Sequence, residues 1–154
     1  MLKLYDHPLS GNCYKVRLAL NQLGVEYEKI YLDIFKGEQH SGGYRAVNPN
    51  RKIPVLVDGD FNMWESNAIL LYLGKKYSPT PLYPEDLSAF GKMAQWLLFG
   101  KTSIDPNLAL ARFMTKFLPP DAVDEKRLNE LRAQGNAVLQ VLDSHLEHYD
   151  FLAG

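Results

Sequence analysis

Residues 48–69 read NPNRKIPVLVDGDFNMWESNAI and indicate a compact β-to-α arrangement. Two apolar runs, Val55–Val57 and Phe61–Trp64, flank an Asp-Gly-Asp tripeptide at 58–60. Apolar runs around Asp-Gly are typical of a β-hairpin, because this dipeptide favours a tight turn. Ser66 is a good N-cap residue, and apolar positions recur after it at helical spacing. The stretch therefore predicts a hairpin that leads directly into a helix.

The residues before this stretch predict a strand, a helix and a second strand. Leu2–Tyr5 and Tyr27–Leu32 have the composition of strands. One helical face between them is formed by Val16, Ala19, Leu20 and Leu23. Such a unit favours parallel strands joined by a right-handed crossover. With a short helix in the polar segment 37–44, the order becomes β-α-β-α-β-β-α around a mixed sheet.

The chain changes character after residue 77. Prolines at 79, 81 and 84 predict a linker over residues 78–85, because proline fixes φ and stops helices. We therefore expect one α/β domain over residues 1–77 and an all-α domain over residues 86–154.

Only helical patterns follow the predicted linker. The spacing predicts two long antiparallel helices, one from Asp86 to about Phe113 and one from Asp124 to about Tyr149. The Pro106 ring should end or kink the first helix.

The composition excludes several classes of function. With 17 Lys and Arg against 18 Asp and Glu, the chain has no basic surplus, so we expect neither a nucleic-acid nor a membrane partner. The lone Cys13 cannot form an intrachain disulfide, which suits the reducing cytoplasm. His145 and His148 lack a third convergent ligand, so no metal is expected.

Three short motifs stand out on this predicted element order. They are Ser10 just before the first helix, Ile53-Pro54-Val55 at the start of a strand, and Glu65-Ser66 at the start of the next helix. Together with Asn48-Pro49, they make the chain resemble the glutathione transferase family. The resemblance implies a thioredoxin-like, glutathione-binding N-terminal domain. It also implies an all-α second domain, shortened here, relative to the family, to two long helices.

The resemblance implies that Ser10 is the catalytic residue. A free thiol such as that of glutathione has a pKa of about 8.5, so little of it is ionised at neutral pH. A hydroxyl that donates to its sulfur near a helix N-terminus would favour the reactive thiolate. Cys13 is the rival, because cysteine-type relatives use a thiol in this region, and Asn12 is a minor contender.

The resemblance also implies where glutathione binds. The expected residues are Gln39, His40, Lys52, Ile53, Pro54, Val55, Glu65 and Ser66. A cis peptide bond before Pro54 would turn the Val55 main chain toward the cysteinyl part of the tripeptide. Glu65 and Ser66 suit the γ-glutamyl end, where free helix N–H groups can bind a carboxylate. Lys52 is the first choice for the glycyl carboxylate, with Gln39 and His40 as further donors.

The leading hypothesis is a cytoplasmic glutathione transferase that directs the thiolate of its cosubstrate, glutathione, at an apolar electrophile. Detoxification and a homodimer are what the resemblance implies. One alternative is glutathione-dependent disulfide exchange through Cys13. Another is a non-catalytic binding or dimerisation module, because a fold alone does not establish an activity.

Overall fold

The structure is a computed structural model that describes residues 1–153. The chain divides into two compact units. The boundary along the sequence lies between Tyr83 and Pro84, inside the segment predicted as a linker. No helix of residues 1–153 combines the length and apolar character needed to span a bilayer.

The first unit is a four-stranded mixed sheet with three helices. Its strands are β1 (Leu2–Asp6), β2 (Tyr27–Tyr31), β3 (Val55–Asp58) and β4 (Phe61–Trp64), and its helices are α1 (Gly11–Gln22), α2 (Gly42–Val47) and α3 (Ser66–Lys76). The strand order is β2-β1-β3-β4, in which β1 and β2 are parallel and the other pairs antiparallel. The predicted β-α-β-α-β-β-α order and mixed sheet are confirmed.

Each face of the sheet has its own apolar cluster, because successive strand side chains point to opposite sides. On one face, leucines of β1 and β3 pack against apolar side chains of α1 and α3. This cluster contains Leu2, Leu4, Val16, Leu20, Leu56, Ile69 and Leu73. On the other, Tyr44 of α2 packs with Leu32 and Val55. The sheet therefore separates α1 and α3 from α2.

The hairpin of β3 and β4 is joined to α3 by a small polar network. Gly59 adopts a φ of +62° in the turn. The preceding Asp58 carboxylate accepts a hydrogen bond from the Tyr72 hydroxyl at 2.6 Å and pairs with the Lys76 ammonium. These donors, first Lys76 and then Tyr72, hold the pKa of Asp58 below its usual range.

The second unit is entirely helical. It contains α4 (Leu87–Phe99), a π-helical segment (Gly100–Ala109), α5 (Leu110–Phe117) and α6 (Glu125–Leu146). Asp86 and Asp124 cap α4 and α6 by accepting from main-chain N–H groups at 2.8 and 3.0 Å.

The sequence predicted that Pro106 would end or kink the first long helix, but the helical stretch does not end there. The helix instead widens into the π-helical segment and continues to Phe117. The Asn107 side-chain amide donates to the Ser103 carbonyl at 2.8 Å, which supplies a donor beside the proline that has none.

Candidate active site

Ser10 stands at the N-terminus of α1. Its Oγ accepts a hydrogen bond from the Cys13 main-chain N–H at 3.2 Å, and its own N–H donates to the His7 carbonyl at 3.0 Å. The hydroxyl is half-buried. Because the cap uses a lone pair on Oγ, it does not consume the hydroxyl proton. Ser10 can therefore donate to an anion placed at the positive end of the helix.

A buried ion pair holds the turn that leads to Ser10. Arg17 of α1 pairs with Asp6 at the end of β1. The same guanidinium donates to the carbonyls of His7 and Pro8, each at 3.4 Å. The turn is thus tied to both the strand before it and the helix after it.

Cys13 is completely buried, unlike Ser10. Burial is the main reason that its thiol pKa is raised to about 11. At neutral pH the side chain is therefore a protonated thiol, which is a poor nucleophile and is screened from solutes.

The N-termini of α1 and α3 are joined by side chains. The buried Ser66 hydroxyl donates to Asn12 Oδ1 at 3.1 Å, and Lys15 Nζ donates to Asn67 Oδ1 at 2.6 Å. Each helix start carries main-chain N–H groups without intrahelical partners, so two such starts form a favourable place for a carboxylate.

Glu65 precedes α3 in an unusual conformation. Its φ is +70°, in the left-handed region that favours glycine. The side chain is exposed, and its Oε1 lies 3.5 Å from Asn50 Nδ2. Strained residues of this kind cluster at functional sites.

In the segment from Lys52 to Val55, some main-chain groups are hydrogen-bonded within residues 1–153 and others are not. The Lys52 carbonyl accepts from Tyr44 Oη at 2.7 Å and from Asn48 Nδ2 at 2.6 Å. The Ile53–Pro54 peptide bond is cis, which confirms that expectation. Within residues 1–153, the main-chain N–H and C=O of Ile53 make no hydrogen bond.

Val55 is placed differently from Ile53. It is fully buried in β3, where it pairs with Tyr5 of β1 on one side and Trp64 of β4 on the other. Its main-chain groups therefore face neighbouring strands rather than an open edge. The Lys52 side chain, in contrast, is exposed.

Gln39 and His40 lie together in a short 3₁₀ turn, Glu38–His40. Gln39 Nε2 donates to the Ile34 carbonyl at 3.2 Å and lies 3.3 Å from His40 Nε2. Among residues 1–153, Gln39 Oε1 is buried without a hydrogen-bond partner. Over residues 1–153, no hydrogen bond joins Gln39 or His40 to the predicted site residues outside this turn.

Three residues beside the site were not among those predicted from the sequence. All three donate hydrogen bonds to main-chain carbonyls beside the site. Arg17 donates to the carbonyls of His7 and Pro8. Tyr44 and Asn48 both donate to the carbonyl of Lys52. Arg17 lies one helical turn from Cys13 and Leu20, at the edge of the apolar face of α1, and this was the available signal, because buried charges need partners. Over residues 1–153, no group of three or more His, Cys, Asp or Glu side chains is arranged to hold a metal.

Comparison with known proteins gives a consistent result. The family model described as glutathione S-transferase, N-terminal domain, matches residues 1–75. Glutathione S-transferase F10 of Arabidopsis thaliana is 36% identical over 151 residues, which cover 96% of this chain and 70% of the relative.

Solved structures agree with the sequence comparison. A glutathione S-transferase from Pseudomonas fluorescens superposes with a TM-score of 0.89 at 36% identity, over 99% of this chain and 75% of that one. The glutathione transferase URE2P6 from Phanerochaete chrysosporium, solved in complex with oxidized glutathione, gives a TM-score of 0.89 at 34% identity. That match covers 99% of this chain and 70% of that one.

Proposed function

Because the chain belongs to the glutathione transferase family, we propose that this enzyme binds reduced glutathione and directs its sulfur at an electrophilic, apolar small molecule. The observation that carries the proposal is the position of the Ser10 hydroxyl at the N-terminus of α1. A hydrogen-bond donor and a helix N-terminus both favour an anion, so they lower the pKa of a thiol bound beside them.

The joined starts of α1 and α3 suit the γ-glutamyl end of the tripeptide. Its carboxylate would accept from main-chain N–H groups at the start of α3, and from the Ser66 hydroxyl when that hydroxyl turns from Asn12 Oδ1 to the ligand. Asn12 accepts the Ser66 proton at 3.1 Å and so would hold that side chain in place until the ligand binds. The exposed Glu65 carboxylate would pair with the ammonium.

We place the main-chain contact with the cysteinyl residue at Ile53. The Val55 main chain is flanked by two strands, whereas the Ile53 N–H and C=O make no bond within residues 1–153. Pro54 follows directly and precedes β3. The exposed Lys52 ammonium would then lie beside the glycyl carboxylate, with Gln39 and His40 as further donors.

Replacement of Ser10 by alanine tests the proposal. We expect Ser10→Ala to raise the pKa of the bound glutathione thiol by about one to two units, because a hydrogen bond to a charged atom is lost. The conjugation rate with an activated aromatic halide should fall roughly 10- to 100-fold at neutral pH for the same reason. Ultraviolet absorbance of the thiolate during a pH titration reports the first quantity.

Asp86→Ala is the matched control, because Asp86 also caps a helix but lies in the second unit. Both variants should lose about 1 kcal/mol of stability from the missing cap, yet only Ser10→Ala should change the thiol pKa. An unchanged thiol pKa in Ser10→Ala would remove Ser10 from the mechanism. If the wild-type protein shows no binding heat with glutathione, the chain is a non-catalytic member of the family.

The exposed apolar side chains of α6 support a proposed homodimer. Leu139 and Leu146 lie seven residues apart on one face of α6, and each is more than two-fifths exposed. Apolar surface of this kind favours association. Sedimentation velocity over a range of concentrations would detect it, and a mass that stays monomeric would contradict it.

A further inference from the structure

The carbonyl of Lys52 receives two hydrogen bonds from buried side chains. Tyr44 Oη lies 2.7 Å away and Asn48 Nδ2 lies 2.6 Å away, and the two donors are only 4% and 1% exposed. The Asn48 distance is short for a neutral N–H···O bond, and the Tyr44 distance is the usual one for O–H···O. Two donors use both lone pairs of the carbonyl oxygen, so this peptide is held from two directions.

The orientation of both donors is itself fixed. Asn48 Oδ1 accepts from the Asn50 N–H at 2.9 Å, so the amide of Asn48 cannot rotate without losing a bond at each end. The Tyr44 ring packs edge-on against Tyr5, with ring centroids 5.2 Å apart. Burial raises the pKa of Tyr44 above its ordinary value, which keeps the hydroxyl a donor throughout the physiological range.

Peptide planarity transmits this restraint to the next residue. The Lys52–Ile53 bond is trans, so the Lys52 C=O and the Ile53 N–H lie in one plane and point in opposite directions. A carbonyl held from one side therefore aims the N–H to the other. Hydrogen bonds to the carbonyl also polarise the peptide, which makes its N–H a better donor. The Ile53 N–H has no acceptor within residues 1–153.

We infer that Tyr44 and Asn48 are positioning residues, which aim the Ile53 N–H at the main-chain carbonyl of the bound cysteinyl residue. This inference rests on the proposed function. Neither side chain touches the tripeptide. Both act by holding a peptide whose opposite face binds it.

The inference separates binding from thiol activation. Loosening the Lys52–Ile53 peptide weakens the contact with the ligand main chain, so the dissociation constant rises. Ser10 and the start of α1 are unaffected, so the thiol pKa in the complex and the turnover number at saturating glutathione stay unchanged. A general loss of structure would alter all these quantities together.

Tyr44→Phe is the direct test, because it removes one donor and keeps the ring. We expect it to raise the dissociation constants of glutathione and of γ-glutamylcysteine amide by the same factor, about fivefold for one hydrogen bond. The cysteinyl carbonyl is a neutral amide acceptor in both ligands, so both should respond. Lys52→Ala should weaken glutathione alone, since γ-glutamylcysteine amide has no glycyl carboxylate. Isothermal titration calorimetry measures all six constants, for both ligands with the wild type, Tyr44→Phe and Lys52→Ala.

Tyr72→Phe is the control, because it removes a hydroxyl that donates to Asp58 at a similar distance of 2.6 Å in the hairpin network. It should leave both dissociation constants at their wild-type values. Equal ligand binding by Tyr44→Phe and wild type would overturn the inference, and so would a shifted thiol pKa in Tyr44→Phe.

A measurement on the wild-type protein covers the case in which Tyr44→Phe fails to fold. Amide hydrogen exchange followed by NMR should show the Ile53 N–H gaining protection when glutathione is added. No gain at Ile53 in a protein that binds glutathione would overturn the inference and leave the proposed function standing. A wild-type protein that binds no glutathione would overturn the proposed function and this inference with it.

Discussion

Ser10 and Cys13 lie one helical turn apart at the start of α1, yet their surroundings give them different chemistry. Ser10 is half-buried with its hydroxyl proton uncommitted by the cap. Cys13 lies completely inside the first unit, where a charged thiolate would lose its hydration. Burial thus distinguishes a candidate catalytic hydroxyl from a packed thiol, although both residues are chemically able to serve a glutathione enzyme.

Cys13→Ala tests this assignment through the pH dependence of stability. The pKa of Cys13 is raised from 9.0 to about 11 in the folded protein. Between these values the unfolded chain loses the proton and the native protein keeps it, so the free energy of unfolding falls as the pH rises. The wild type should lose on the order of 2 kcal/mol more than Cys13→Ala across this window.

Urea unfolding at pH values below and within that window measures the difference. If the free energies of unfolding of the two proteins change with pH in parallel, folding does not raise the pKa of Cys13. Ellman's reagent provides an independent check, because the native thiol should react only after unfolding. Rapid labelling of the native protein at neutral pH would restore Cys13 as a candidate nucleophile.

At the scale of elements, the second unit depends on a close approach between α6 and the π-helical segment. A Cβ atom built on Gly135 of α6 would lie 2.3 Å from Leu108 Cδ2 and 3.0 Å from Leu108 Cγ. These distances are shorter than van der Waals contact, so the Leu108 side chain can occupy this position only because residue 135 has no side chain.

Gly135→Ala should therefore destabilise the second unit by roughly 1–3 kcal/mol, the usual cost of an overpacked contact. Alanine normally stabilises a helix by about 1 kcal/mol relative to glycine, so a loss here means that the clash dominates. Thermal unfolding gives the sign directly.

Gly91→Ala is the matched control. Gly91 lies in α4 with no atom within 4 Å of the position of an added Cβ, so this variant should gain stability. The double variant Gly135→Ala/Leu108→Ala should recover part of the loss, because it removes the clashing side chain. Equal gains for Gly91→Ala and Gly135→Ala would contradict the close contact.

At the scale of the whole molecule, the two units have cores of different size. Buried apolar clusters of the first unit lie on both faces of its sheet. The core of the second unit is one small cluster, formed by Ala111, Met114, Leu128 and Leu131. Because burial of apolar surface is the main favourable term in folding, the first unit should be the more stable.

Hydrogen exchange measured across a urea series tests this difference. Amides of α6 should exchange at lower urea concentrations than those of β1 and α1. Glutathione at a hundredfold excess over its dissociation constant should add about 2.7 kcal/mol to the protection of the first unit and leave α6 unchanged. A single transition shared by both units, shifted as a whole by glutathione, would contradict this division.

Local patterns account for much of what the sequence predicted correctly. The Asp-Gly turn and the Ser10 cap of α1 each depend on residues within a few positions. The prediction that Ser66 caps α3 was wrong, because Ser66 is the first residue of that helix and Glu65 takes the N-cap position without a side-chain hydrogen bond. The role of Tyr44 and Asn48 was not predicted, because their partner is the main-chain carbonyl of Lys52, and a main-chain carbonyl carries no signal in residue identity. Arg17 pairs with the Asp6 side chain, but which charged residues meet is decided by the fold. The π-helical segment around Pro106 likewise depends on a neighbour, because the Asn107 side chain donates a hydrogen bond to the Ser103 carbonyl.

The amino-acid sequence by itself determined the order of strands and helices and the family to which the chain belongs, because turn residues, caps and apolar periodicity act over short distances. Only the tertiary structure decided which groups near the site are available to a ligand. It buried Cys13, placed Val55 between two strands and left the Ile53 N–H without an acceptor among residues 1–153. Burial and hydrogen-bond satisfaction depend on atoms brought together from distant parts of the chain, and no local pattern records them.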